Sequence, residues 1–467
     1  MAPNFINRYA SALSHKGAGQ SYSKIMYYFV PELISAFFLN SLQILIEAQF
    51  IVHLKSTSLF ATFAVTSTLI LVITKMAEGL STGIVIIGGQ YNGSGKLREV
   101  GITAGAAFLL TCCVGFLIAL LLFSGAGAIY HWYGVPADMI SEGIPFLRLR
   151  AISIFLTFLY YALVGFLRSI KNTRVPMYFF VSGSIICLIA DYMLIFGKGG
   201  APALGFEGQA YATIIQYSFM VIGMIIHISY HPAYAKYHLQ TIRIKEQLAA
   251  MWQLIKVSWP VIIEKTLMAA TKPWLARLIA PIGAYAIGSF GVIYQMEMLA
   301  FVPAAAFGQV ITFLVSNDYG KQDWNGIKYN IKKVLALAAF MVCTILFILS
   351  LNPMFFIAFY DPNHAFTDFA SAAFPIISVL VFFDIVQLIL SGALRGAGDV
   401  KTVLWVRLVL FFVCFLPASY YAAHLPIDNM VLKFIMIYGS FYIFDGIMSL
   451  VYIYRFHGDK WKQHIIS

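Results

Sequence analysis

Apolar residues run through this chain in long blocks separated by short polar connections. Twelve blocks stand out: 25–54, 59–89, 99–129, 138–167, 174–197, 206–230, 250–281, 284–315, 330–355, 367–394, 400–424 and 430–455. Each is long enough to cross a bilayer, which takes about 20 apolar residues in a helix. None alternates like a barrel strand, and lipid offers the backbone no hydrogen bonds, so helices are the expected element. The pattern predicts an all-α polytopic membrane protein with 12 transmembrane helices.

The pattern also repeats. "GFLRSIKNTRVP" (165–176) matches "GALRGAGDVKTV" (392–403) at an offset of 227, which pairs Arg168 with Arg395. "LFATFAV" (59–65) matches "AIGSFGV" (286–292), and Gly93 pairs with Gly320, in the same register. Three matches in one register predict two pseudo-symmetric six-helix bundles, an architecture of secondary transporters. The expected organisation is a cytoplasmic N-terminal segment 1–24, an N-lobe 25–230, a cytoplasmic linker 231–249, a C-lobe 250–456 and a cytoplasmic tail 457–467.

Charge sets the orientation. One alternate set of connections, with the C-terminal tail counted from Arg455, holds 21 Lys and Arg, whereas the other holds only Lys55, Lys198 and Lys433. Basic residues collect on the cytoplasmic side, so both termini are expected there. The net charge of +11 therefore speaks for topology and not for nucleic acid. With 60% apolar and 11% charged residues among 467, a soluble globule could not cover its surface, and 16% aromatic content excludes disorder. The N-terminus shows no cleavable signal pattern. The five cysteines sit in apolar blocks without metal-ligand or disulfide spacing, and the ten histidines are scattered. No metal or cofactor is expected. No phosphate-binding loop or other enzyme motif occurs, so the protein is not expected to be an enzyme.

Ionisable residues inside the apolar blocks carry the information, because each costs roughly 2.5–3.5 kcal/mol at mid-bilayer on insertion scales. Glu47 and Asp191 sit at similar depth in the first half and could share one low-dielectric pocket. Such a pocket would exchange a proton, or hold sodium or an organic cation. At the 227 offset they align with Trp274 and Ala418, so the second half does not duplicate them. The second half has its own set: Glu264, Lys272, Glu297 and Asp384, with Lys265 and Arg277. These could form a salt-bridge network neutralising Lys272 through Asp384 or Glu297, or a gated substrate or proton site. Asp445 has no evident partner. Lys75 and Glu78, three apart on one helix, are expected to pair. Arg407 is expected to snorkel towards the cytoplasm. Arg148 and Arg150 would meet Asp191 or backbone carbonyls, and Arg168 and Arg395 would serve topology and capping.

"FFDIVQLILSGALRGAGDVKT" (382–402), "GFLRSIKNTRVPMYFFVSGSIICLIADYMLIFG" (165–197), "LGFEGQAYATIIQ" (204–216) and "EGLSTGIVIIGGQYNG" (78–93) together resemble signatures of the multidrug and toxic compound extrusion (MATE) transporters, of the DinF/NorM-like kind. The resemblance implies two six-helix bundles forming a V, in the inner membrane of a bacterium. It also implies export of organic, often cationic or amphipathic, compounds in exchange for protons or sodium by alternating access. Asp191 falls on the family's fifth-helix acid, Glu47 where many members have Asp, and Asp384 on the tenth-helix acid of the NorM-like branch. Cys187 stands where an Asn is common four residues before the fifth-helix acid, which favours protons over sodium. Met268 stands at the seventh-helix acid, with Glu264 one turn earlier. Lys272 and Arg277 are unusual in a cation cavity and would suit an anionic or zwitterionic substrate. The expected partners are a small organic substrate, the coupling ion and the lipid bilayer, with no nucleic acid and a monomeric chain. Related readings are a lipid-linked oligosaccharide flippase of the same superfamily, and a non-transporting membrane receptor or scaffold.

Overall fold

The computed structural model describes residues 19–38, 43–239, 244–361 and 364–463. The chain packs into two compact units. One is Val30–Ile262, and the other joins the described residues up to Phe29 to those from Ile263 onward.

In the first unit, α1 (Tyr22–Phe37, which begins in the other unit) and the ten-residue α2 (Gln43–Val52) precede α3 (Thr57–Gly93), α4 (Leu97–Tyr133), α5 (Ala137–Ser169), α6 (Arg174–Phe196) and α7 (Phe206–Tyr230). A 3₁₀ turn, Pro232–Tyr237, follows. Then α8 (Ile244–Ile279) leads into α9 (Ala284–Gly320), α10 (Trp324–Leu351), the short α11 (Pro353–Ala358), α12 (Thr367–Gly396), α13 (Val400–His424) and α14 (Met430–His457). A π turn at Phe411–Phe415 interrupts α13.

Ten of the described helices are long and apolar enough to cross a membrane. Most of the described residues of the expected first block, 25–54, lie in α1 and α2, and 39–42 lie outside the described residues. The seventh, 250–281, lies in α8, which carries Glu264, Lys265, Lys272 and Arg277 along its length. Neither belongs to the ten.

The 227 offset holds at the level of backbone geometry. α3 and α9 each have 37 residues, with both ends displaced by 227, and α5 and α12 end at equivalent residues. The turn after α3 puts Gly95 at φ 78°, and the turn after α9 puts Gln322 at φ 60°. The turns after α5 and α12 do the same with Lys171 (φ 63°) and Gly398 (φ 86°). Each turn is closed by a 6→1 bond: Asn172 N donates to Leu167 O at 2.9 Å, and Asp399 N to Leu394 O at 3.0 Å.

Close helix packing explains the small residues near these turns. A Cβ on Gly396 would lie 2.5 Å from the Thr312 carbonyl oxygen, and one on Gly392 would lie 3.0 Å from the Gly308 carbonyl oxygen. Glycines one turn apart thus let α12 approach the backbone of α9. Thr312 Oγ1 donates to Gly392 O across that contact at 3.1 Å.

Each unit also ties to a buried glutamate an arginine that sequence reading assigned to topology and capping. In the first, Arg168 at the end of α5 grips Glu32 of α1 through two bonds of 2.7 and 2.5 Å. In the second, Arg395 at the end of α12 reaches both oxygens of Glu264 at 3.1 Å. Arg407 approaches the same carboxylate at 3.5 Å and is buried, so it does not snorkel. Lys75 and Glu78 pair at 2.9 Å, as their spacing suggests.

Removing one partner of a buried pair leaves an uncompensated charge, at a cost of about 3–5 kcal/mol. Glu264→Gln strands two arginines, and Glu32→Gln strands one. Both should lower the denaturant midpoint of the purified protein, Glu264→Gln by more. Midpoints equal to the parent's would show that these pairs carry no structural weight.

Candidate functional site

Three helices of the first unit each turn one polar stripe inward. Gln43 and Glu47 are four apart on α2. Ser184, Cys187 and Asp191 follow i, i+3, i+7 on α6, and Gln209, Thr213 and Gln216 follow i, i+4, i+7 on α7. Those spacings put each set on one helix face. Cys187, Asp191 and Gln209 are fully buried, and Glu47 is 8% exposed.

Glu47 is held by amides. Gln43 Nε2 donates to its Oε1 at 2.7 Å, and Gln209 Nε2 to its Oε2 at 3.1 Å. Gln43 and Gln216 are bonded reciprocally at 2.9 and 3.2 Å, and Ser184 Oγ donates to Gln43 Oε1 at 3.1 Å. Asp191 is held less fully. Its Oδ2 lies 3.8 Å from Cys187 Sγ, and its Oδ1 has no hydrogen-bond partner among the described residues. Cys187 Sγ also lies 3.9 Å from Glu47 Oε1. Arg150 is the cation whose field reaches both acids. Its guanidinium donates to Thr213 Oγ1 at 2.6 Å. Arg148 points elsewhere, with Nε 3.4 Å from Phe123 O.

The structure thus brings Glu47 and Asp191 into one pocket. One ligand atom from each of Glu47, Cys187 and Asp191 lies within 4.8 Å of the other two. The sequence spacing offers no metal-ligand set, but the fold assembles this one from two helices. Two full negative charges that close repel by more than about 3 kcal/mol at an effective dielectric constant near 20. A proton or cation between them removes that term.

Of the four candidates in the second unit, the structure joins Lys272 to Glu297. Lys272 Nζ is 3.6 Å from Glu297 Oε2 and donates to Tyr438 Oη at 3.2 Å. Tyr438 and Tyr442 both donate to Glu297, the latter at 2.6 Å. Glu264, expected in the same group, is instead committed to Arg395 and Arg407. The reason is the position of its helix face against the end of α12. Asp384 lies within the electrostatic reach of Lys272, Arg407 and Glu297. Asp445 is buried, and neither of its carboxylate oxygens has a hydrogen-bond partner among the described residues. Sequence reasoning missed the amides Gln43, Gln209 and Gln216 and the acid Glu32. The polar i, i+4, i+7 stripe in the apolar α7 was the signal for two of them.

A family model, MatE, matches residues 31–193 and 260–421. Multidrug resistance protein NorM of Aliivibrio fischeri is 25% identical over 374 residues, 79% of either chain. Probable multidrug resistance protein YoeA of Bacillus subtilis is 21% identical over 397 residues, 83% of either chain. Among solved structures, a mutant of the Vibrio cholerae MATE transporter VcmN superposes with a TM-score of 0.84 at 17% identity, covering 97% of this chain and 99% of that one. The eukaryotic MATE transporter AtDTX14 gives 0.81 at 17% identity, over 94% and 96%. These structures share the fold, and the family model spans well over half of the sequence. The chain belongs to the MatE family, a family of secondary transporters and not of enzymes.

Proposed function

We propose that this transporter exports organic, cationic or amphipathic compounds in exchange for protons, with Glu47 and Asp191 as the coupling site. The observation that carries the reading is the asymmetry within the acid pair. Both oxygens of Glu47 accept amide N–H bonds, which suits a permanent carboxylate. Asp191 keeps one buried oxygen without a hydrogen bond among the described residues, which suits the group that takes up and gives off the proton. With Arg150 nearby, one added proton brings the local charge to zero. Neutralisation removes the repulsion between α2 and α6, and the polar stripe of α7 can then repack against them. Alternating access follows if this repacking is the step that lets the two halves rock.

Sulfur at Cys187 is a poor ligand for a hard cation such as sodium, which favours the proton. The names of the relatives, multidrug resistance proteins, support an organic substrate. The same reading puts 12 spans in two pseudo-symmetric bundles, 25–230 and 250–456, joined by a cytoplasmic linker at 231–249. The chain would act as a monomer in a bacterial inner membrane, with both termini in the cytoplasm. Lys272, Glu297 and Asp384 would form the substrate side of the second half, and Glu264 a structural ion pair.

Efflux from proteoliposomes with an imposed pH gradient tests the coupling. Asp191→Asn should lower gradient-driven transport at least tenfold while substrate still binds. Transport at the parent's rate would remove Asp191 from the mechanism. Restoring an oxygen with Cys187→Asn should make transport respond to replacement of potassium by sodium, a response absent from the parent. If the parent already responds as strongly, the proton assignment fails.

A further inference from the structure

Lys272 does more in the second unit than neutralise Glu297. Its ammonium lies 4.6 Å from the ring centroids of Tyr438 and Phe441, 5.1 Å from Tyr294 and 5.8 Å from Tyr442. These rings arise from two helix faces. Tyr294 and Glu297 are one turn apart on α9, and Tyr438, Phe441 and Tyr442 share a face of α14. Three aromatic rings within about 6 Å, a fourth met at its hydroxyl, and one carboxylate around a single positive nitrogen are the recognition chemistry of an organic ammonium. The box is stiff. Tyr438, Phe441 and Tyr442 are buried, and the two tyrosine hydroxyls are tied to Glu297. Its occupant is not sealed in, because the Lys272 side chain is 21% exposed.

We propose that Lys272 is a tethered competitor: it fills an ammonium-binding box with the protein's own cation and so controls which cations enter it. The inference goes beyond the coupling role of Glu47 and Asp191 and does not depend on it. The tether is one side chain, so its effective concentration is millimolar or higher. A free ammonium compound with similar affinity for the rings must exceed that concentration to displace it. Compounds with further contacts outside the box enter more readily, and simple ammonium ions are refused. The displaced lysine has acids to meet. Asp384 and the unbonded Asp445 both lie within its electrostatic reach, so the charge need not be carried into hydrocarbon alone. Lys272 is in this sense a specificity-determining residue for alkylammonium and trimethylammonium head groups.

Equilibrium dialysis of radiolabelled tetramethylammonium against the purified full chain in lipid nanodiscs tests the proposal without any ion gradient. Its failure is therefore separate from a failure of the coupling site. Lys272→Met empties the box and should bind at least tenfold tighter than the parent. The gain should vanish in the double variant with Glu297→Gln. Equal binding by parent and Lys272→Met overturns the proposal, as does a gain that survives replacement of Tyr438 and Phe441 by Leu. A second readout uses the parent protein, in case Lys272→Met does not fold. With ¹³C-labelled lysine, the Lys272 ε-methylene resonance, assigned through Lys272→Arg, should be shifted upfield by the rings. It should move back towards the position of a free lysine on addition of 100 mM tetramethylammonium, a concentration roughly two orders of magnitude above a millimolar tether. A resonance with no upfield shift, or one unmoved by the ion, overturns the idea.

Discussion

A charge in hydrocarbon must find its counter-charge within the same packed unit, and most of what is distinctive here follows from that constraint. Only 11% of the residues are Asp, Glu, Lys or Arg, so each one inside a helix block is visible as a problem to be solved. Some solutions are rigid. Arg168 with Glu32, and Arg395 and Arg407 with Glu264, tie the end of one helix to the flank of another. Other solutions are incomplete. Among the described residues, Asp191 and Asp445 keep buried oxygens without a hydrogen bond. The complete pairs hold the structure together, and the incomplete ones are where chemistry has room to happen.

The two units divide that chemistry unequally. The acid pocket of the first is lined by amides, a hydroxyl and a thiol, groups that reorganise around a proton or a small ion. The charged cluster of the second is lined by rings, which suit a larger and softer cation. The frame beneath them is shared. Helix lengths, left-handed turn residues and closing bonds recur at one offset, although the side chains above them do not.

Much of the frame was legible in the sequence because its determinants are local. Apolar blocks, turn residues and the 227 register need no knowledge of distant contacts, and the family resemblance rested on the same segments. The meeting of Glu47 with Asp191 was inferred from depth along two helices. Partners were harder. Arg168 and Glu32 are 136 residues apart and Arg395 and Glu264 are 131 apart, so no spacing rule links them. Lys272 had two candidate acids, and only the orientation of α9 and α14 selects Glu297. The amide clamps on Glu47 were overlooked because Gln in an apolar helix carries no formal charge to attract notice. The first and seventh blocks stand outside the ten spanning helices: residues 39–42 of one lie outside the described residues, and the other carries the charges that its sequence already shows.

The paired turns carry an implication for how such a protein can change over generations. At each of them the backbone needs a left-handed residue, yet glycine fills only one of every equivalent couple: Gly95 opposite Gln322, and Gly398 opposite Lys171. The shape does not require the residue that makes it easiest. Two copies of one scaffold can therefore drift apart in sequence while staying superimposable in outline. A substitution in the lining of one copy need not be mirrored in the other.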